Sequence, residues 1–165
     1  MDFIAHYFSP LGGITLSSDG FSLTGLWFDG QKHFAVTLSE TRQKKDLPVF
    51  DLTKHWLDIY FEGKNPDFIP SLNLNGSGFR QNVWKILLTI PFGQTITYGQ
   101  IAAKISIRMS AQAVGGAVGH NPILLIIPCH RVVGSNGKLT GYAAGLEKKN
   151  KLLEFEKSIL KKSSL

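Results

Sequence analysis

The sequence predicts an α/β chain of the segregated, α+β kind: a small N-terminal domain built on an antiparallel sheet with one helix, then a mostly helical C-terminal domain containing a helix-turn-helix. Three observations carry this. Short β-like runs alternate with Asp-Gly turn signals over the first forty residues, helical spacing takes over from residue 50, and the charge changes sign near Asn75. The expected division is therefore residues 1–75 and residues 76–165.

In order along the chain, SPLGGITLSS, FSLTGLWF and KHFAVTL read as strands, separated by DG at 19–20 and at 29–30. FDLTKHWLDIYF at 50–61 changes to helical spacing, with Leu52, Trp56, Leu57 and Tyr60 along one face. PDFIPSLNLNGSG is rich in turn residues and reads as the inter-domain connection, with one strand at 71–74. FRQNVWKILLTI is the next helix, stopped by Pro91 and Gly93. Thr97 then caps a helix from Tyr98 to about Lys104, and Ser110 caps a second from Ala111 to about Val118. That second helix, AQAVGGAVG, presents small residues such as Ala113 and Gly115 where base-reading helices carry long polar side chains. Such a flat face suits close approach to a backbone, or equally the packing of a neighbouring helix. ILLII at 123–127 reads as a buried strand, and KLLEFEK near the end as a helix.

Charge narrows the partners. Residues 1–75 hold 6 Lys/Arg against 9 Asp/Glu, whereas residues 76–165 hold 12 against 3, so the whole excess of +6 belongs to the second half. Basic charge concentrated in that way fits a nucleic acid, because Lys and Arg displace counterions from phosphates; a solvated lysine-rich face is the plainer alternative. No apolar run approaches the roughly 18 residues of a membrane span, and MDFIAHYF lacks the features of a signal peptide. A single cysteine forms no internal disulfide, and the five histidines lack metal-ligand spacing, so no metal is expected. The expected compartment is a reducing one, the cytoplasm or, in a eukaryote, the nucleus.

The cysteine itself, Cys129, lies in NPILLIIPCHRVV between Pro128 and His130. A free thiol titrates near 8.5. It becomes a nucleophile only beside a base or positive charge, and His130 and Arg131 follow directly in the chain. Adjacency alone favours an inert core thiol.

The surrounding words decide between the two. PCHRVV (128–133), the NP before it, GYAAG (141–145) after it, and FRQNVWKILLTIPFGQTITYGQIA with AVGGAVGHNP stand in the order and spacing of the 6-O-alkylguanine-DNA alkyltransferases, which the chain resembles closely over residues 77–156 and loosely before them. The resemblance implies a DNA repair protein. It would move an alkyl group from 6-O-alkylguanine, with 4-O-alkylthymine as a second candidate, in double-stranded DNA onto Cys129, once and without cofactor, acting as a monomer after flipping the base out of the duplex. It further implies His130 as base, Glu156 as the group that orients it, Tyr98 as an aid to flipping and a proton donor, and Asn121 as a hinge between recognition helix and active-site turn. Val132 and the loop with Tyr142 and Ala143 would line the guanine pocket. Gln112, Ala113, Gly115 and Arg131 would meet DNA. Two positions depart from the family pattern: Gln112 replaces an arginine that enters the base stack, and Ala143 replaces a serine. A lesion-binding protein without chemistry, of the alkyltransferase-like type, is the alternative, but its relatives replace the cysteine. A transcription regulator is the third reading, and the small-residue helix offers base edges little beyond Gln112 and His120.

Overall fold

The computed structural model describes residues 1–163. The chain divides into two compact units, one made of Met1–Asn75 together with Pro122–Leu124, the other of Gly76–Asn121 and the chain from Leu125 onward.

In the first unit β1 (Asp2–Ser9), β2 (Gly12–Ser18) and β3 (Leu23–Phe28) form an antiparallel meander, and β4 (Arg42–Lys44) adds to the free edge of β1 in parallel, giving the order β3-β2-β1-β4. Tyr7 lies opposite Ile14, Ile14 opposite Phe28, and Asp2 opposite Arg42. Gly20 and Gly30 have φ of 110° and 79°, values open to glycine and costly to other residues, which is why the Asp-Gly pairs end their strands. Helix α1 (Pro48–Phe61) begins with proline in its first turn, where a missing N–H costs nothing, and buries Val49, Phe50, Thr53, Trp56, Leu57 and Tyr60. Leu52, expected on that face, is 42% exposed.

KHFAVTL forms successive turns in place of the expected strand, with His33 and Ala35 both at positive φ. The reason is that the outer edge of β3 is already occupied. Leu23 exchanges backbone hydrogen bonds with Ser71 and Asn73, and Leu26 does the same with Pro122 and Leu124. Phe34 is held instead by its ring, edge-on to Trp27 at 6.1 Å. The strand expected at 71–74 is present only as a single parallel bridge between Leu23 and Leu72.

The second unit is helical. α2 (Gly78–Leu87) is capped by Ser77 and inserts Val83, Trp84 and Leu87 into the core, where the Trp84 indole N–H donates to the Ala117 carbonyl at 2.9 Å. α3 (Tyr98–Ile105) starts at Thr97 with a reciprocal capping box to Gln100, and α4 (Ala111–Gly119) starts at Ser110, whose hydroxyl accepts from the Ala113 N–H. β5 (Ile96–Thr97) pairs in parallel with β6 (Val132–Val133), and α5 (Leu146–Ser163) ends the described chain. ILLII is buried throughout but is no strand: Ile123 bridges Leu26 in the first unit, and Leu125 then turns the chain with φ of 70°. A strand needs partners along its length, and here pairing stops after Leu124. Among the described residues no helix is long and apolar enough to cross a membrane.

Candidate active site

Pro128 (φ −80°, ψ 64°) closes the buried run and starts a single 3-10 turn, Cys129–Arg131. The Arg131 N–H returns to the Pro128 carbonyl at 3.0 Å. At three residues per turn, successive side chains leave such a turn about 120° apart at their Cβ atoms, and the longer His130 and Arg131 side chains both reach Glu156. Asn121 steadies the approach: its backbone N–H donates to Val118 in α4 and its side-chain Nδ2 to the Ile127 carbonyl at 2.8 Å. The pairing of β5 with β6 sets Thr97 beside Val133, which brings the start of α3 to the end of the cysteine turn.

Cys129 is 3% exposed. Burial pushes its thiol up to about 11, opposed by hydrogen bonding from Asn121 and by the charge of Lys149. At rest it is therefore a thiol, and a nucleophile only when a base removes its proton.

His130 supplies such a base. The ring is fully buried, and its Nε2 donates to Glu156 Oε2 at 2.5 Å, which assigns the tautomer and leaves Nδ1 as the basic nitrogen. Burial lowers the His130 pKa, with Glu156 opposing and Arg131 and Lys149 assisting, so the ring is neutral near pH 7. Burial alone would raise Glu156, but hydrogen bonds and charge from His130 and Arg131 outweigh it and hold the carboxyl well below its usual range.

Arg131 differs from the expectation that it contacts DNA. It is 7% exposed, and its Nε and Nη2 donate to the two oxygens of Glu156 at 2.8 and 3.2 Å, while Nη1 donates to the Ile90 carbonyl. The guanidinium also lies over the Phe92 ring at 5.6 Å. A buried carboxylate requires a charged partner, and the adjacent turn position provides it. Glu156 Oε1 further accepts the Gly93 N–H at 2.9 Å.

Tyr98 is the first residue of α3 and half-buried; burial raises its hydroxyl pKa, as does the nearby Cys129. Lys149 on α5 is wholly buried, donates from Nζ to the Gly141 carbonyl at 3.0 Å, and stands 5.9 Å from the centre of the Tyr98 ring. Its burial lowers its pKa to about 8. Val132 is fully buried after the turn, and Tyr142 and Ala143 are half-buried in a loop closed by the Gly145 N–H donating to Tyr142. Gln112 and Ala113 are exposed on α4, and a side chain added at Gly115 would stand 3.8 Å from the Tyr98 ring. The structure thus gathers Cys129, His130, Asn121, Glu156 and Tyr98 into one unit, and leaves Gln112 and Ala113 at a surface. Among the described residues no group of His, Cys, Asp or Glu could hold a metal ion.

Comparison with known proteins matches this arrangement to two profiles. Residues 78–158 match the 6-O-methylguanine DNA methyltransferase DNA binding domain, and residues 3–74 match the ribonuclease-like domain of the same family. The chain belongs to the 6-O-methylguanine DNA methyltransferase family. The methylated-DNA–protein-cysteine methyltransferase of Mycobacterium tuberculosis is 47% identical over 91% of this chain and 89% of its own. That of Haemophilus influenzae is 39% identical over 94% and 86%. The crystal structure of Mycobacterium tuberculosis OGT in complex with DNA superposes with a TM-score of 0.86, at 44% identity, covering 95% of this chain and 94% of that one.

Two features of this site are not evident from the sequence. One is the Arg131–Glu156 pair. The other is Lys149, hidden in the run EKKNK, where lysine suggests solvent. Its signal was periodicity: Lys149, Leu152 and Glu156 stand at i, i+3 and i+7, and all three form the buried stripe of α5.

Proposed function

We propose that Cys129 takes the alkyl group from O6 of an alkylated guanine in double-stranded DNA and keeps it. The observation that carries this is a buried thiol one residue from a neutral histidine whose far nitrogen is fixed by an ionised, arginine-locked Glu156. His130 takes the thiol proton, through a water, as general base. The sulfur then forms a bond to the alkyl carbon as the carbon–O6 bond breaks, and the electron pair leaves on the guanine. Tyr98, with its proton held firmly by burial, donates to the departing base. His130 then returns its proton to Tyr98 through solvent, so thiol, alkyl group and proton balance without a co-reactant. A thioether offers water no leaving group, so each molecule acts once.

The target atom is unreachable inside a duplex, so the base is flipped out, at a cost of a few kcal/mol. Val132, Tyr142 and Ala143 form its surroundings, and the exposed Gln112 with the small face at Ala113 and Gly115 meets the DNA. Asn121 ties that helix to the cysteine turn. Residues 76–165 carry the chemistry and residues 1–75 support it, in a reducing compartment that keeps the thiol free.

Intact mass measurement after incubation with an oligonucleotide containing 6-O-methylguanine tests the reading. A gain of one methylene on Cys129, absent from Cys129→Ala, is expected. Binding without a mass change would overturn it in favour of a lesion-binding protein.

A further inference from the structure

The first unit is acidic, with 6 Lys/Arg against 9 Asp/Glu over residues 1–75, yet four of those six cations, Arg42, Lys44, Lys45 and Lys54, fall in β4, the residue after it and α1. Lys44, Lys45 and Lys54 line one groove of about 340 Å³ together with His6, and Asp46 is its sole carboxylate. Lys44 ends β4 and Lys45 follows it, His6 comes from β1, and Lys54 from α1. Among the described residues none of the three lysines forms an ion pair, and Lys45 is steadied by the Phe3 ring, 5.1 Å from its Nζ. His6 is oriented at its inner nitrogen by the Thr15 hydroxyl at 3.4 Å.

Lysines on an edge strand deter pairing with other chains. That role accounts for Lys44 but not for Lys54, which reaches the same groove from a helix. Three lysines lining one groove beside a single carboxylate concentrate positive charge there, and a polyanion offsets it. We propose that this groove binds phosphates of the DNA backbone, giving the N-terminal unit a nucleic-acid contact of its own. The inference rests on the reading of the protein as a DNA-acting transferase, whose substrate presents one negative charge for each ~1.7 Å of duplex axis. The contact is with phosphate alone, so it adds affinity without sequence preference.

The test is a salt titration of binding to a short undamaged duplex, comparing the wild type with Lys44→Gln/Lys45→Gln/Lys54→Gln. Each phosphate neutralised contributes about 0.9 to the slope of log K against log salt, so the triple variant loses about 2 to 3 from that slope. The corresponding triple arginine variant keeps it. Alkyl transfer from a free 6-O-alkylguanine base, which has no phosphate, stays at the wild-type rate and certifies the fold. If the triple variant loses that transfer, Lys54→Gln alone decides, with an expected slope loss of about 0.9. An unchanged slope with intact transfer overturns the proposal. So does an unchanged slope accompanied by reduced self-association in sedimentation, which assigns the groove to a second copy of the chain. A wild type that binds no duplex at any salt overturns the functional reading itself, and is seen before any variant is made.

Discussion

Glu156 accepts hydrogen bonds from His130, from Arg131 and from the backbone of Gly93, at 1% exposure. Removing its charge leaves a buried guanidinium without a counter-ion, so Glu156→Gln is expected to lower unfolding free energy by about 3–5 kcal/mol in urea denaturation. A loss under 1 kcal/mol would show that Arg131 finds another partner. The pH dependence has a definite sign. The folded carboxyl titrates below its ordinary 4.5, so its pairing stabilises the protein above that value and is lost as pH falls beneath it. The gap between wild type and variant should therefore narrow in acid. Lys149 gives a second prediction. Its ammonium favours the Cys129 thiolate, so Lys149→Met should slow alkyl transfer at pH 7 about tenfold, the effect of one unit on the thiol. The deficit should shrink above pH 8, where the wild-type lysine loses its own proton. A deficit constant from pH 7 to 9 would sink this account. Cys129 and His130 were legible because they are contiguous in a motif. Arg131 was misread, and Lys149 missed, because a charged residue reads as exposed until its buried partner, here remote in sequence, is known.

Helix starts were legible for a related reason: their determinants are local. Thr97 and Ser110 cap α3 and α4 where the sequence suggested, since a cap bonds within three residues of itself. Thr97→Ala should cost about 1 kcal/mol by thermal or urea unfolding, and should also slow transfer, because the capping box fixes the first turn that carries Tyr98. Unchanged stability would mean that pairing of Thr97 with Val133 in β6 suffices to hold that turn. On α4 the exposed Gln112 stands where the family pattern has arginine. Gln112→Arg adds a positive charge and a planar stacking group, so tighter duplex binding in a salt-matched titration is expected. Equal affinities would show that the residue stays clear of the DNA. Strands were harder to read than helices. KHFAVTL and ILLII have strand-like composition, but pairing depends on which edges are vacant, and the edge of β3 was taken by residues 71–73 and 122–124.

That last segment shows what composition and charge could not reveal about the whole molecule. The change in charge near Asn75 marks where one kind of sequence gives way to another, but the first compact unit takes in Pro122–Leu124 from far beyond it. The contribution is specific: Leu26 donates to the Pro122 carbonyl at 2.8 Å and accepts from the Leu124 N–H at 3.0 Å, and the Ile123 side chain is fully buried. A fragment of residues 1–75 would lose both backbone bonds and expose the apolar surface that Ile123 covers. Each lost bond costs about 0.5–1.5 kcal/mol, and the uncovered apolar site about 1.5–3 kcal/mol, against a total stability of about 5–15 kcal/mol for an ordinary domain. The fragment should unfold at clearly lower urea than the same unit in the intact chain, followed by the fluorescence of Trp27 and Trp56, both buried in that unit. Linking residues 122–124 to the fragment through a flexible tether should recover part of the difference. A fragment as stable as the intact unit would mean that the edge of β3 is satisfied by solvent, and that the three borrowed residues serve only to fix the chain before the cysteine turn.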